Sequence, residues 1–247
     1  MTRPDQSLWR ESVDLVRTFL IAFAAAAAIH ALVLEPFTIP SSSMEPGLLT
    51  GDYIVVSKLA YGWSRASLPF DPPLPAGRFL GRGPRRGDVV VFRLPRDPQQ
   101  TWVKRVIGLP GDRVQVAGGI VRVNGQALAQ TPLRPVKDQD SPDLTVMLTR
   151  EALPDGPSHL TYDRGRGEGD DTGVYVVPAG HYFMMGDNRD NSLDSRWPRE
   201  VGVGLLPADN IVGKAEMVLW SWKPGAALSK PWTWLALRGK RGFTPIR

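Results

Sequence analysis

Phe37-Thr-Ile-Pro-Ser-Ser-Ser43-Met-Glu-Pro46 separates two stretches of opposite character. Before it runs Thr18-Phe-Leu-Ile-Ala-Phe-Ala-Ala-Ala-Ala-Ala-Ile-His-Ala-Leu-Val-Leu34, which carries no formal charge when His30 is neutral. After it comes Gly51-Asp-Tyr-Ile-Val-Val56, with the β-branched and aromatic make-up of a strand. An apolar helix and a β domain therefore meet at three consecutive serines. Pro36 and Pro40 oppose helix at the junction and force an extended path through Phe37 and Ile39.

The apolar run is long enough to matter. With Leu15, Val16 and a snorkelling Arg17 it reaches about twenty residues, or about 30 Å as a helix, the thickness of a hydrocarbon core. Arg3, Arg10 and Arg17 precede it, and no Lys or Arg follows until Lys58. The positive-inside rule then predicts a cytoplasmic N-terminus, with everything after residue 35 on the outer face of the cell (inner, cytoplasmic) membrane as a single-pass protein. A cleavable secretory signal is the alternative, since the Ala-x-Ala triplets satisfy that pattern too. Leu32, Val33 and Leu34 continue the apolar run where a cleavage region turns polar, which argues for an uncleaved anchor. The expected boundaries are a cytoplasmic segment at 1–14 and a transmembrane anchor at 15–35.

Beyond the anchor the periodicity is that of strands. Gly51 to Tyr61, Asp88-Val-Val-Val-Phe-Arg-Leu94 and Thr101 to Ile107 each read as one. Arg113-Val-Gln-Val116 and Ile120-Val-Arg-Val123 flank Ala117-Gly118-Gly119 as a hairpin, and Asn124-Gly125 marks a further tight turn. Between 126 and 172 the pattern is lost, and the stretch reads as an inserted subdomain or extended loops. Strands return at Val174-Tyr-Val-Val177 and His181-Tyr-Phe-Met-Met185. No long amphipathic helical pattern follows residue 35, so the body is expected to be antiparallel β. A catalytic core at 36–125 and 173–222 and a basic, Trp-containing tail at 223–247 complete the division.

Composition narrows the chemistry. Cysteine is absent, which excludes disulfides, thiolate metal sites and a cysteine nucleophile. A net charge of +5 and a pI near 9.7 come without a basic helix, zinc-ligand spacing or an RNA-binding aromatic motif, so no nucleic acid is expected and anionic lipid suits the charge better. With His159 and His181 the only histidines outside the anchor, lysine is the remaining base to activate a serine. Lys104, in Thr101-Trp-Val-Lys-Arg-Val-Ile107, shares a strand face with Trp102 and Val106 and has apolar neighbours. Burial there would lower its pKa from the ordinary value of about 10.4 toward neutrality. A snorkelling lysine whose amine reaches water is the competing reading. Ser43 has a plain alternative as well, a linker serine after the anchor. What links the two is the polar loop Gly186-Asp-Asn-Arg-Asp-Asn-Ser192-Leu-Asp-Ser-Arg196, whose alternating charges can lock one another and aim a hydroxyl inward.

These blocks, in this order after one anchor, resemble the bacterial type I signal peptidases, the serine/lysine-dyad family of membrane-bound endopeptidases. Pro40-Ser-Ser-Ser-Met-Glu-Pro46 is similar to the nucleophile segment, Gly51-Asp-Tyr-Ile-Val-Val-Ser-Lys58 to the strand that follows it, and Arg86-Gly-Asp-Val-Val-Val-Phe92 with Val103-Lys-Arg-Val-Ile-Gly-Leu-Pro-Gly-Asp112 to the general-base block. The resemblance covers roughly 15–125 and 174–217. It implies a partly open, β-barrel-like core of antiparallel sheets with an inserted subdomain. It implies Ser43 as nucleophile and Lys104 as general base, with Ser41 and the Ser43 N–H forming the oxyanion hole. Ser192 would orient the amine, Asp194 and Arg196 would brace the site, and Phe37, Ile39 and Val103 would line shallow pockets for small side chains. Core packing is the other reading of those three. The implied reaction cleaves N-terminal signal peptides of preproteins after a small-x-small motif, with no metal and no cofactor. The stretch after Arg196, Trp197-Pro198-Arg-Glu-Val-Gly202, departs from the family pattern as a longer connection before Leu206-Pro207. A membrane-tethered β domain that binds exported chains or lipid without cutting them is the alternative from another class.

Trp220 and Trp222 lead into the tail, which holds Trp232 and Trp234 with Lys223, Lys230, Arg238, Lys240 and Arg241. Tryptophan beside basic residues suits a membrane interface. Trp220 and Trp222 are also readable as core residues of one strand face.

Overall fold

In the computed structural model the described residues are 6–69, 72–73, 75, 77–139, 141–223, 225–226 and 230–246. The first five residues of the polar N-terminal segment, and 224, 227–229 and 247 of the basic tail, lie outside them. Helix α1 spans Gln6–Leu32, its alanine run being the strongest helix-forming composition in the chain. Within it Trp9–Leu32 is long and apolar enough to cross a membrane, and none of that window is buried against the rest of the protein. The helix starts before residue 15 and stops before 35. Pro36 disfavours helix at Glu35, so Leu34 already opens strand β1, Leu34–Thr38.

The helix end is tied to the β domain. Lys58 Nζ donates to the carbonyls of Ala31 at 2.9 Å and His30 at 3.4 Å, and Trp63 Nε1 donates to Leu32 O at 2.8 Å. These are among the carbonyls that a helix C-terminus leaves without intrahelical partners. Lys58 also pairs with Glu35 at 2.9 Å. The strand expected at 51–61 accordingly ends at Ser57, where Lys58 turns to the helix.

The strands that follow are β2 Asp52–Ser57, β3 Val89–Leu94, β4 Asp97–Gly108, β5 Arg113–Ala117, β6 Ile120–Val123 and β7 Gln126–Ala127. After them come β8 Ala129–Lys137, β9 Thr145–Ala152, β10 His159–Asp163, β11 Tyr175–Val176 and β12 His181–Met185. The last are β13 Leu206–Pro207, β14 Ile211–Ser221 and β15 Thr244–Pro245. The main sheet runs β1-β2-β14-β3-β4-β12-β13, with β15 beside β14, and its pairings are antiparallel. Its two ends do not pair with each other, so it stays open rather than closing into a barrel.

Strand β3 is buried on both faces, which explains its unbroken Val89-Val-Val-Phe92. Val89 and Val91 pack with Ile39, Met44, Leu48, Ile54 and Val56, while Val90 and Phe92 pack with Val106, Met184 and Ile211 on the other side. A third cluster around Ile107, Val114, Val121 and Phe183 joins the main sheet to a smaller one ordered β11-β5-β6-β7.

The stretch 126–172 is more regular than its sequence suggests. Strands β8, β9 and β10 form their own antiparallel sheet. Strand β8 is almost wholly exposed, so it needs no alternation of apolar and polar residues, and Pro132 and Pro135 disguise it further. At the other end of the chain the four tryptophans divide. Trp222 is buried and both it and Trp220 pack against Tyr53, at 5.0 and 5.3 Å between ring centroids, as residues of one strand face do. Trp232 and Trp234 are exposed, together with Leu235 and Phe243.

Candidate active site

Three segments converge on one cleft of about 640 Å³. The first is the turn after β1. Ser41 is extended, and Ser42–Met44 make a single 3₁₀ turn whose Met44 is fully buried in the core. Burial of Met44 leaves the preceding Ser43 half-buried at the cleft wall. Ser41 Oγ lies 3.5 Å from Ser43 Oγ on the more exposed side.

The second segment is β4. Lys104 pairs with Val90 of β3 and is 3% exposed. Its Nζ lies 2.6 Å from Ser43 Oγ and 5.5 Å from the centre of the Trp102 ring. Burial pushes the amine down to about 8 from the ordinary lysine value; Asp194 and Asp187 oppose this, and Arg196 assists it. A lysine with its amine in water, the alternative open from sequence, is thereby set aside.

The third is the loop 186–196 after β12. The backbone N–H of Asn188 donates to Ser43 O at 3.2 Å, and Asn191 Nδ2 donates to Ser42 Oγ at 2.7 Å. Gly186 is required by the close approach, since a Cβ there would run into the Ser192 side chain and the Ser43 carbonyl oxygen. Asp194 and Arg196 are both buried and doubly hydrogen-bonded, Nε to Oδ1 and Nη2 to Oδ2, each at 2.9 Å. Burial pushes the Asp194 carboxyl up, but Arg196 and the N–H groups of Gly186 and Arg196 outweigh it and hold it below the usual carboxylate range.

Ser192 also lines the cleft, but its buried Oγ makes no hydrogen bond among the described residues, and the contact of the Lys104 amine is with Ser43. The orienting bond expected between Ser192 and Lys104 is therefore not formed in this arrangement. Phe37, Ile39 and Val103 line the cleft and also belong to the first core cluster, so pocket wall and core packing are the same surface.

Several partnerships here carry no signal in the sequence. Arg105, next to Lys104, turns to the opposite face of β4 and forms a buried pair with Asp187, Nε to Oδ1 and Nη2 to Oδ2, each at 2.7 Å. Trp102 and Trp197 add aromatic walls to the cleft. Trp197 Nε1 donates to Ser192 O at 3.1 Å, which fixes the connection that departs from the family pattern. An amine with lowered proton affinity against a hydroxyl, facing an open apolar cleft, can generate an oxygen nucleophile.

Residues 12–220 match the family described as signal peptidase, peptidase S26. Signal peptidase I of Rickettsia typhi is 38% identical over 215 residues, covering 83% of this chain and 79% of that protein. That of Rickettsia akari is 37% identical over 207 residues, covering 80% and 76%. Among solved structures, a signal peptidase I from Enterococcus faecalis aligns at 25% identity over 54% of this chain and 97% of its own, with a TM-score of 0.33. The chain belongs to the signal peptidase family, peptidase S26. It is thus a peptidase of signal-peptide processing, and its N-terminal apolar helix points to a membrane anchor.

Proposed function

We propose that this protein is a single-pass endopeptidase that cleaves N-terminal signal peptides from exported preproteins after a small-x-small motif, with Ser43 as nucleophile and Lys104 as general base. The observation that carries it is the 2.6 Å contact between Ser43 Oγ and the buried Lys104 Nζ. Neutral Lys104 accepts the hydroxyl proton as Oγ bonds to the scissile carbonyl carbon. The negative charge passes to the carbonyl oxygen, which the Ser43 N–H and the Ser41 hydroxyl stabilise. Collapse breaks the C–N bond, and the leaving amine takes the proton from Lys104. Water then attacks the acyl carbon as Lys104 takes its proton, the C–Oγ bond breaks, and Lys104 returns the proton to Ser43 Oγ. Ser192, whose hydroxyl is buried beside the same cleft, is the group we assign to hold the amine during turnover. Asp194 and Arg196 brace that loop.

The cleft suits an extended peptide. It lies between Thr38–Ser41 and Gln100–Lys104, and among the described residues the outer edge of β1 has no strand partner in the sheet order. A substrate strand laid along such an edge satisfies its backbone groups and points alternate side chains into the wall of Phe37, Ile39 and Val103. Alternation by two is what reads two small residues separated by one of any type. With the N-terminus cytoplasmic, the cleft faces the outer side of the cell membrane, where leader peptides emerge. Exposed Trp232, Trp234 and Leu235, with exposed Lys240 in the same tail, would rest in the lipid interface as a second contact.

The test is to incubate the detergent-solubilised full chain with a synthetic leader peptide and map the products by mass. One cut after a small residue, with a second small residue two positions before it, is expected. An uncut peptide, or cuts scattered without regard to side-chain size, would overturn the reading.

A further inference from the structure

The sheet β10-β9-β8 has a charged connection to the loop 186–196. Tyr162 N–H on β10 donates to Asp187 O at 2.9 Å, and Tyr162 bridges to Asn188, the residue whose N–H binds Ser43 O. From β9, Glu151 reaches in with no exposed surface. Its two oxygens accept from Arg189, Nη1 to Oε2 at 2.9 Å and Nη2 to Oε1 at 2.5 Å, and Gln130 of β8 donates to Oε2 at 3.0 Å. Arg189 passes the connection on in two directions. Its Nε donates to Gly186 O at 3.1 Å, and its own carbonyl accepts from Arg196 Nη2.

Three buried ion pairs stand behind the site, that of Glu151 among them; Asp194, Asp187 and Arg196 act on the Lys104 amine, and buried Glu45 lies two residues from Ser43. Asp187 pairs with Arg105, Asp194 with Arg196, and Glu151 with Arg189, and all six side chains are buried. His159 of β10 faces Glu151 and Asp187 at 3.5 and 3.9 Å, but burial and the two arginines Arg105 and Arg189 push it down to about 2, so it adds no charge. Asp190 and Asp170 lie on the outer side of the loop, beside Arg196, and Asp190 also reaches the rim of the cleft. On the β4 side, Arg96 and Lys104 both sit against Trp102. Removing one carboxylate from such a group leaves a surplus positive charge in a region that water cannot screen.

We propose that Glu151 is a positioning residue for the Ser43–Lys104 pair, holding loop 186–196 against the serine turn through Arg189, whose buried charge it neutralises. This rests on the serine/lysine reading and deepens it, giving the second sheet a part in the reaction without contact with substrate. Two functions of one side chain are separable. Glu151→Gln keeps the size and one acceptor but removes the charge. Glu151→Asp keeps the charge but shortens the reach.

The experiment is the pH dependence of kcat/KM for a synthetic leader peptide, using the detergent-solubilised full chain and both variants, with the folded fraction measured by circular dichroism. For Glu151→Gln the plateau is expected to fall at least about tenfold. Its acid limb is expected to move to lower pH by about half a unit, because the surplus positive charge favours the neutral amine. For Glu151→Asp the plateau falls and the acid limb stays. Wild-type profiles in both variants would overturn the proposal, as would a loss of rate that only tracks the folded fraction with no movement of the limb in the glutamine variant. If that variant does not fold, an undiminished plateau in the aspartate variant overturns it. A Ser43→Ala control separates the two levels. Cleavage at the wild-type rate by that control would sink the serine/lysine reading itself, whereas an inactive control with unmoved Glu151 variants would sink only this inference.

Discussion

The Asn188 N–H donates to the Ser43 carbonyl oxygen at 3.2 Å, so the serine turn and the loop that carries Ser192, Asp194 and Arg196 form one unit. Gly186 is what lets them approach this closely. A displacement of about 1 Å at reacting atoms costs roughly a hundredfold in rate. Gly186→Ala is therefore expected to lower kcat at least about a hundredfold while the far-UV spectrum is retained. Cleavage within twofold of wild type would show that the approach is not needed.

The amine of Lys104 is held down to about 8, with burial as the main cause. As general base it works only when neutral, so activity should rise with pH through that value and flatten above it. Below it, kcat/KM should fall about tenfold per pH unit. A rate that is flat between pH 6 and 9, or that declines as pH rises through this range, would contradict Lys104 as the base.

Asp194→Asn removes the charge that pairs with buried Arg196. Breaking a buried ion pair from one side typically costs about 3–5 kcal/mol, because the other charge is left uncompensated. A loss of that order in urea unfolding is expected. The wild-type contribution has a definite pH sense: since the Asp194 carboxyl is held below its ordinary range, the stability it confers is present above the unfolded-state carboxylate value and is lost as pH falls through the folded one. An unchanged unfolding midpoint would mean that Asp194 and Arg196 do not brace the loop.

Specificity should respond to the wall formed by Phe37, Ile39 and Val103. Phe37 is only partly buried, so Phe37→Ala enlarges the wall with a modest loss of core packing. Leader peptides with Val or Leu at a small-residue position should then gain relative to those with Ala by about 1–3 kcal/mol in kcat/KM. An unchanged preference across such a peptide series would argue that these residues are core alone.

Much of this is legible in the sequence. The strand His181–Met185 and the turn around Ser43 stand out because apolar runs and prolines leave few alternatives, and Lys104 stands out as the base that remains without cysteine, although its burial, as against snorkelling, is settled only by the packing of β4. Arg105 was not legible as a partner of Asp187, because the pairing depends on how β4 and the 186–196 loop meet in space. Glu151 and His159 were further still from view. They lie in β9 and β10, where buried positions are held by polar Thr149, Glu151, His159 and Thr161, so burial alternates without the apolar alternation that betrays a strand. The missing Ser192–Lys104 bond is of another kind, since a hydroxyl rotamer has no trace in sequence spacing.

The most direct measurement compares preprotein cleavage by wild-type protein with that by Ser43→Ala and Lys104→Ala, each purified in detergent and checked for an unchanged circular dichroism spectrum. Residues that act as one unit lose activity together, so each variant should fall at least about a thousandfold. If either keeps more than about a tenth of the wild-type rate, the hydroxyl and amine in contact here are not the reacting pair.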